Sequence, residues 1–270
     1  MSSYNPLSLV LLPWHYRELV LPLARRRILS RYRGSVLGVL WAVLNPLFML
    51  AIYTFIFSVV FQAKWGADPG SRSGFALFLF SGLILYSVFS ECVNEAPSLL
   101  ITNKLYIRQL VFPTEVLAWI SVLGSLFHLV VNWMILTLFY SVVIGAPSFS
   151  VLYLPLTAIP IVLLSLGAVW FISSIGIYLR DLGHVVGLLT TALLFLSPIF
   201  YPASAVPAAF RAYYSFNPFV HILENSRMVL LHGSPPAWES LIISILGSWL
   251  FAWLGYIWFM KAKKGFSDVI

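Results

Sequence analysis

The chain alternates between long apolar stretches and short polar ones. After Arg33 no Asp, Glu, Lys or Arg occurs until Lys64, and a second stretch without these residue types extends from Val116 to Leu179. The second stretch is too long for one helix across a membrane, and the turn-forming sequence at 145–148 divides it near its middle. Because about 20 apolar residues suffice for a helix to cross hydrocarbon, the pattern predicts several membrane-spanning helices.

The predicted fold is an all-α integral membrane protein with six transmembrane helices. Pro46 predicts a kink within the first span. Pro198, Pro202 and Pro207 interrupt the apolar segment after the fifth span, which favours short re-entrant, outward-facing helices between the fifth and sixth spans. Residues 1–33 and 261–270 are predicted to be cytoplasmic, and the six spans are predicted at about 34–61, 74–93, 116–144, 150–177, 184–200 and 240–260.

The segment before Arg33 predicts an amphipathic helix that lies in the headgroup plane of the membrane. Apolar positions recur at helical spacing along one face, while Arg17, Arg25 and Arg26 fall off that face. Pro22 interrupts the pattern, so a frayed basic tail is the alternative. The face consists of Tyr16, Leu19, Val20, Leu23, Ala24 and Ile28.

Composition supports the membrane assignment and decides how the positive charge is interpreted. Hydrophobic residues make up 60% of the chain and charged residues only 9%, against about 25% in a typical soluble domain. Most Lys and Arg residues fall on the side of the membrane that holds both termini, which predicts that this side is cytoplasmic. The net charge of +7 is therefore attributed to membrane orientation, and no nucleic-acid partner is expected.

The sequence contains no recognisable catalytic motif. No lysine is followed by Ser or Thr, so a phosphate-binding loop is missing and any ATP hydrolysis would take place in another chain. A single cysteine, Cys92, allows neither an internal disulfide nor a multi-cysteine metal site. The span interiors lack Asp, Glu and Arg, which argues against an ion-coupled carrier or a selective ion channel.

Three titratable residues near the spans have a structural and a functional interpretation. Glu91 and Glu95 lie one helical turn apart, and a solvated helix end is favoured over a catalytic carboxylate pair. His128 is the one titratable group deep in the long uncharged stretch. A neutral imidazole hydrogen-bonded to a neighbouring helix is favoured there over a functional site.

Aromatic residues make up 16% of the chain and are frequent in the predicted spans. Many are expected to face lipid or the membrane interface. The alternative is an uncharged conduit whose rings stack on sugar faces, so that a long polar polymer slides through without tight binding.

A series of short motifs resembles the permease subunits of type-2 ABC exporters, in the branch that exports O-antigen and other polysaccharides. The motifs occur in the family's order and at similar spacing over nearly the whole chain. They are Arg31-Tyr32-Arg33-Gly34-Ser35-Val36-Leu37-Gly38 with Trp41, Asn45-Pro46, Phe112-Pro113, Arg180-Asp181, Ser197-Pro198-Ile199-Phe200-Tyr201 and Asn217-Pro218.

The resemblance implies a homodimer in the cytoplasmic (inner) membrane, with two copies of a separate ABC ATPase that bind ATP and magnesium. It implies export of a lipid-linked polysaccharide, with no enzymatic activity and no cofactor in this chain. The first and fifth spans would line the conduit with Trp41, Tyr53, Phe57, Phe195, Phe200 and Tyr201. A coupling helix at 97–112 would contact the ATPase through Pro97, Asn103, Lys104 and Arg108. The basic helix would lie beside the ATPase and lipid phosphates, with Arg25, Arg26, Arg27, Arg31 and Arg33.

Other functions remain open at the level of sequence. Permeases that export capsule, teichoic acid or drugs share the same topology. A stand-alone carrier or channel, or a membrane enzyme that modifies glycans through Glu91 or Glu95, are further alternatives.

Overall fold

The computed structural model describes residues 5–56, 72–107, 112–179, 181–201, 205–214 and 216–268. These residues are helical apart from turns and short connections, and they include no strand. The prediction of an all-α membrane protein is confirmed. The helices are α1 (Pro6–His15), α2 (Arg17–Tyr32), α3 (Trp41–Phe55), α4 (Arg72–Thr102), α5 (Lys104–Ile107), α6 (Val116–Val143), α7 (Leu154–Thr157), α8 (Ile159–Gly176), α9 (Leu182–Leu196), α10 (Ala208–Tyr214), α11 (Pro218–Leu230) and α12 (Trp238–Ala262).

Five helical segments of the described residues are long and apolar enough to cross a membrane. The helix α9, which covers most of the predicted fifth span, has 15 residues and therefore rises about 22 Å, less than the roughly 30 Å of a hydrocarbon core. The total of six spans, with α9 as the fifth, and the re-entrant helices stay predictions. The five segments are Gly38–Phe55, Gly74–Thr102, Val116–Val143, Phe149–Gly176 and Trp238–Phe266.

The first span begins later than predicted. A 3₁₀ turn at Gly38–Leu40 precedes α3, and both Gly34 and Gly38 adopt positive φ angles of 83° and 53°. Residues other than glycine rarely adopt this left-handed conformation, so the chain turns between α2 and α3 rather than continuing as one helix. Pro46 lies inside α3 and does not end it.

The second span ends later than predicted, and this changes the position of Pro97. The helix α4 continues past residue 93 to Thr102, so Pro97 lies within it instead of starting a separate coupling helix. Pro97 is buried against α8, where a Cβ added to Gly176 would be 2.3 Å from the Pro97 carbonyl oxygen. Only a glycine permits so close an approach of the two helices.

The helices α8 and α12 pack with their backbones in contact. A Cβ added to Gly255 would lie 2.4 Å from the carbonyl oxygen of Gly167, and one added to Gly167 would lie 2.9 Å from the Cα of Ala252. Small residues at such crossings give close van der Waals packing, which replaces the hydrophobic effect as the source of helix association in lipid.

Contacts divide the molecule into two ends. At the first, the indole nitrogen of Trp119 donates to the Leu9 carbonyl at 2.9 Å, so that α1 packs on the start of α6. At the same end Lys263 pairs with Glu115 at 2.6 Å, which ties the C-terminal turn to α6. We call this the α2 end. At the opposite end, which we call the α11 end, Ser150 donates to the Val229 carbonyl at 2.7 Å.

The N-terminal segment forms two helices, where one was predicted. They meet at Tyr16, and Pro22 lies inside α2 without ending it. The alternative of a frayed tail is therefore wrong, while a position in the headgroup plane stays a prediction. The helix α2 buries Val20, Ala24 and Tyr32.

Candidate functional site

Two ion pairs join α2 to α4 and define one side of the candidate site. Arg27 pairs with Glu95, and Arg31 pairs with Glu91. The arginines are four residues apart on α2, and the glutamates are four residues apart on α4. The earlier arginine pairs with the later glutamate, so the two helices run antiparallel at this contact. The interpretation of Glu91 and Glu95 as a helix end is wrong, because α4 continues to Thr102. Both carboxylates are partly exposed and are bound by arginines.

Arg27 lies in a socket on the surface of α6. Its Nη2 also donates to the Ser121 hydroxyl at 3.2 Å, and a Cβ added to Gly124 would be 3.0 Å from its Nε. Burial lowers the pKa of the Arg27 guanidinium below its usual range, while the Glu91 carboxylate acts in the opposite direction. We call Arg27, Glu95, Ser121 and Gly124 the Arg27 site.

The remaining predicted arginines of this segment face away from the bundle. Arg25, Arg26 and Arg33 are exposed and line a shallow groove on α2 together with Leu21 and Leu29. The contact of the basic helix with lipid phosphates or an ATPase stays a prediction. These three residues are available for it, whereas Arg27 and Arg31 are occupied by carboxylates.

A cavity of about 500 Å³ lies between α3, α4 and α6, next to the Arg31–Glu91 pair. The first span contributes Trp41 and Tyr53, which are two of the predicted conduit residues. The sequence-based prediction missed the polar contribution from α6 and α3. The polar residues of the cavity include Asn45, Ser87, Ser90, His128 and Asn132.

Several polar groups of this cavity have no hydrogen-bond partner among the described residues. They are the indole of Trp41, the hydroxyl of Tyr53, the amides of Asn45 and Asn132, and the imidazole of His128. Most hydroxyls in the spans instead bond to backbone, as Ser87 does to the Ile84 carbonyl at 2.7 Å. The predicted hydrogen bond of His128 to a neighbouring helix is therefore not found in this part of the chain. His128 instead contacts the rings of Tyr32 and Phe127 at 6.0 Å and 5.5 Å between centroids.

The other predicted conduit residues lie at the α11 end. Phe195 and Phe200 stack at 5.5 Å, and the Tyr201 hydroxyl donates to the Phe195 carbonyl at 2.8 Å. Phe195 is 60% exposed, so its ring is open to lipid or to another chain. The structure thus forms two separate aromatic groups, and Phe57 lies outside the described residues. A role for these rings in a conduit stays a prediction.

The predicted coupling residues are spread over a corner and a buried position. Asn103 closes the corner between α4 and α5, where its Nδ2 donates to the Leu99 carbonyl at 2.8 Å. Lys104 is exposed, and Leu105 beside it is 72% exposed, a residue that the sequence-based prediction missed. Pro97 is buried inside α4, and Arg108 lies outside the described residues.

Arg227 of α11 is buried, with 3% of its surface exposed. Its guanidinium carbon lies 3.4 Å from the ring centroid of Phe78, and its Nη2 donates to the carbonyls of Phe78 and Ile199 at 3.3 and 3.4 Å. A Cβ added to Gly82 would be 2.8 Å from that nitrogen. Nε and Nη1 have no hydrogen-bond partner among the described residues. We call Arg227, Phe78, Gly82 and Ile199 the Arg227 site.

The pattern of α11 contained a signal for this burial. Val220, Leu223, Arg227 and Leu230 fall on one helical face, and all four are buried. An arginine within such a face has to occupy the interior together with its apolar neighbours. The sequence-based prediction that the span interiors lack arginine therefore missed Arg227, which α11 contributes to the interior.

The described residues contain no group of three or more His, Cys, Asp or Glu side chains that could hold a metal ion. Cys92 is buried, and its Sγ donates to the Ser125 hydroxyl at 3.3 Å.

Comparison with known proteins finds a matching family and several similar proteins. The model of the ABC-2 type transporter family matches residues 18–231, from α2 to the end of α11. An O-antigen export system permease protein RfbA of Myxococcus xanthus is 26% identical over 259 residues, which cover 95% of this chain and 97% of that protein. An RfbA of Klebsiella pneumoniae is 26% identical over 254 residues, 94% of this chain and 95% of that protein. The polysialic acid transport protein KpsM of Escherichia coli is 26% identical over 209 residues, 77% of this chain and 79% of that protein.

Proposed function

Since the chain belongs to the ABC-2 type transporter family, we propose that it is the permease subunit of an ATP-driven exporter that moves a lipid-linked polysaccharide across the cytoplasmic membrane. The observation that carries the proposal is the family match over 18–231, together with two relatives whose names specify O-antigen export. The relative named for polysialic acid transport supports the same substrate class, with capsule export as the alternative cargo.

ATP and magnesium would be bound by a separate ATPase, because this chain has no phosphate-binding loop. The proposed contact is the corner formed by Asn103, Lys104 and Leu105, at the α2 end. An exposed leucine next to a lysine suits a docking surface with an apolar centre and a charged rim.

Movement of that corner would be transmitted through α4 to the basic helix. The hydrogen bond from Asn103 to Leu99 links the corner to α4, and the pairs of Glu95 with Arg27 and of Glu91 with Arg31 link α4 to α2. A displacement of the ATPase contact therefore moves α4 and α2 together.

A homodimer is proposed because α3 and α9 leave apolar faces uncovered within one protomer. Only 11% of the residues in the Gly38–Phe55 segment are buried, and Leu188, Leu189 and Phe195 of α9 are exposed. A second copy placed against α3 and α9 would enclose a conduit between the protomers. The α2 end, where most Lys and Arg residues lie, would face the cytoplasm.

The test is genetic complementation together with purification. Cells that lack this chain should accumulate the polysaccharide inside, and expression of the chain should restore the polymer at the surface. A partner ATPase should purify with the chain, and Lys104→Glu with Leu105→Glu should abolish this association. Arg211→Glu, an exposed change on α10, is the matched control and should leave it intact.

Two results would contradict the proposal. The first is normal surface polymer in cells that lack the chain, and the second is ATP hydrolysis by the purified chain alone. A glycan-modifying enzyme is disfavoured, because Glu91 and Glu95 are held in ion pairs with arginines and are not free to act as catalytic carboxylates.

A further inference from the structure

The cavity between α3, α4 and α6 differs in its lining from a larger groove of the spans. A groove of about 1140 Å³ between α6, α8 and α12 has an almost wholly apolar lining, as expected for a surface that faces acyl chains. The cavity next to Arg31 and Glu91 has a volume of about 500 Å³ and a mixed lining of rings, amides and hydroxyls. Its volume falls in the usual range of ligand sites, about 300–1,000 Å³.

The polar groups of this cavity are of the kind that bind hydroxyl groups. An asparagine amide both donates and accepts hydrogen bonds, a tyrosine hydroxyl does the same, and an indole donates. Asn132, Tyr53 and Trp41 have no hydrogen bond to another described residue, so these capacities are unused within that part of the protomer. Polar groups inside a membrane protein are costly unless water or a ligand satisfies them.

The two aromatic rings complete the set of groups. Trp41 and Tyr53 each combine an apolar ring face with a polar tip, which suits a ligand with an apolar face and a polar edge. A pyranose ring has both, since its C–H groups form the face and its hydroxyls the edge. A free phosphate would not use the rings, and an acyl chain would not use Asn45 or Asn132.

We propose that this cavity is a saccharide-binding subsite contained within one protomer. The inference rests on the proposed export of a polysaccharide and specifies where a sugar unit of that polymer is held. Asn132 and Asn45 bind the hydroxyls, while Trp41 and Tyr53 stack on the sugar. Each protomer carries its own subsite, so a dimer holds two. Because α3 and Leu194 of α9 line the cavity, each subsite adjoins the conduit proposed between the copies.

The first experiment measures binding to the purified complex of permease and ATPase. The probe is the lipid-linked glycan extracted from the producing cells. Replacing Asn132 by Leu should weaken its binding about three- to tenfold, the effect of losing one or two hydrogen bonds. Ser141→Leu is the matched control, because Ser141 lies on the same helix but lines the apolar groove. It should bind as the unsubstituted protein does.

The second experiment remains informative if Asn132→Leu fails to fold. Asn132→Cys in a Cys92→Ala background is treated with a small charged methanethiosulfonate, and the rate of modification is measured. The lipid-linked glycan should slow the modification, and so should the same glycan released from its lipid. Lipid from cells that make no glycan should not slow it, which separates recognition of the sugar from recognition of a phosphate or an acyl chain. Glu18→Cys, exposed on α2 away from the cavity, should be modified at the same rate with and without glycan.

The outcomes distinguish this inference from the proposed function. If the unsubstituted chain restores export but Asn132→Leu binds glycan normally, or Asn132→Cys is not protected, the subsite is wrong while the function stands. Protection by glycan-free lipid would also overturn the subsite. Failure of the unsubstituted chain to restore export would contradict the function itself.

Discussion

Two arginines, the half-buried Arg27 and the buried Arg227, lie over glycines at opposite ends of the molecule but are bound by different groups. In the Arg27 site the guanidinium is bound by a carboxylate and a hydroxyl. In the Arg227 site it is bound by an aromatic ring and two backbone carbonyls, and two of its nitrogens have no partner among the described residues. The first arrangement depends on charge, and the second depends on shape and dipoles.

The two sites differ in how strictly each one requires a glycine under its arginine. Gly124 permits contact with the Nε and Cδ of Arg27, a side chain that is 22% exposed and has room to shift toward solvent. Gly82 permits contact with the Nη2 of Arg227, which is 3% exposed and enclosed on its sides. We therefore expect packing changes to dominate at the Arg227 site and charge changes to dominate at the Arg27 site.

The largest effect is expected from overfilling the Arg227 site. Gly82→Leu places a side chain where Nη2 of Arg227 lies, and the enclosed arginine cannot move away. We expect a loss of about 2–3 kcal/mol, as for other overpacked interiors. Thermal unfolding in detergent, followed by tryptophan fluorescence, measures it.

Gly247→Leu is the control for this change, because a Cβ at Gly247 meets no atom within 4 Å. A melting temperature of Gly82→Leu equal to that of Gly247→Leu would contradict the described geometry. Adding Arg227→Ala to Gly82→Leu should restore part of the loss.

A smaller effect is expected from removing the carboxylate of the Arg27 site. Glu95→Leu leaves Arg27 half-buried with only the Ser121 hydroxyl as a partner. Both charged groups are partly exposed, so we expect about 1–2 kcal/mol, below the cost of breaking a fully buried pair. The same unfolding measurement applies.

Arg27→Met combined with Glu95→Leu tests whether the charge is responsible. The double variant should be more stable than Glu95→Leu alone, because no unpaired cation remains. Glu18→Leu, an exposed acid of α2, serves as the control and should change the melting temperature little. An equal loss from both single changes would refute the charge-based account.

Replacing Arg227 by Met should change stability by no more than about 1 kcal/mol. The contact with the Phe78 ring is lost, but the cost of burying a cation disappears with it. The carboxylate that attracts Arg227, Glu224, is exposed and stays solvated without it. Unfolding in detergent again gives the value. A loss above roughly 3 kcal/mol would contradict this account, because a loss of that size requires a buried anionic partner of Arg227.

The smallest effect is expected from the Arg31–Glu91 pair between α2 and α4. Arg31→Glu places a like charge next to Glu91, but both side chains are partly solvated, so the loss should stay below about 1 kcal/mol and shrink in high salt. Arg31→Glu with Glu91→Arg should recover it. Arg33→Glu is the control, and an effect of equal size and salt dependence there would mean that the pair contributes nothing specific.

The sequence predicted the helices best where no charge intervened. The predicted 116–144 and 150–177 agree with the Val116–Val143 and Phe149–Gly176 segments, because an uninterrupted apolar pattern marks both ends. The end of α4 was placed nine residues early because Glu91 and Glu95 were taken as the border with water. Their charges are instead matched by α2, a long-range contact that the local pattern of α4 does not contain.

The candidate site was predicted only in part for a similar reason. The rings of Trp41 and Tyr53 were identified from the aromatic pattern and the family resemblance. Asn132 was overlooked because a single amide within an apolar helix resembles any polar substitution until its neighbours in space are known. The matching spacing of Arg27 with Arg31 and of Glu91 with Glu95 was a signal that could have located the pairs of α2 and α4.

The two left-handed glycines before α3 give the cavity between α3, α4 and α6 walls of unequal stiffness. Asn132 and His128 belong to α6, which is anchored at one end by α1 and by the Lys263–Glu115 pair. Trp41 and Tyr53 belong to α3, which is attached through Gly34 and Gly38 and buries little of its surface. Widening the cavity therefore means rotating α3 about these glycines, while the wall formed by α6 keeps its place.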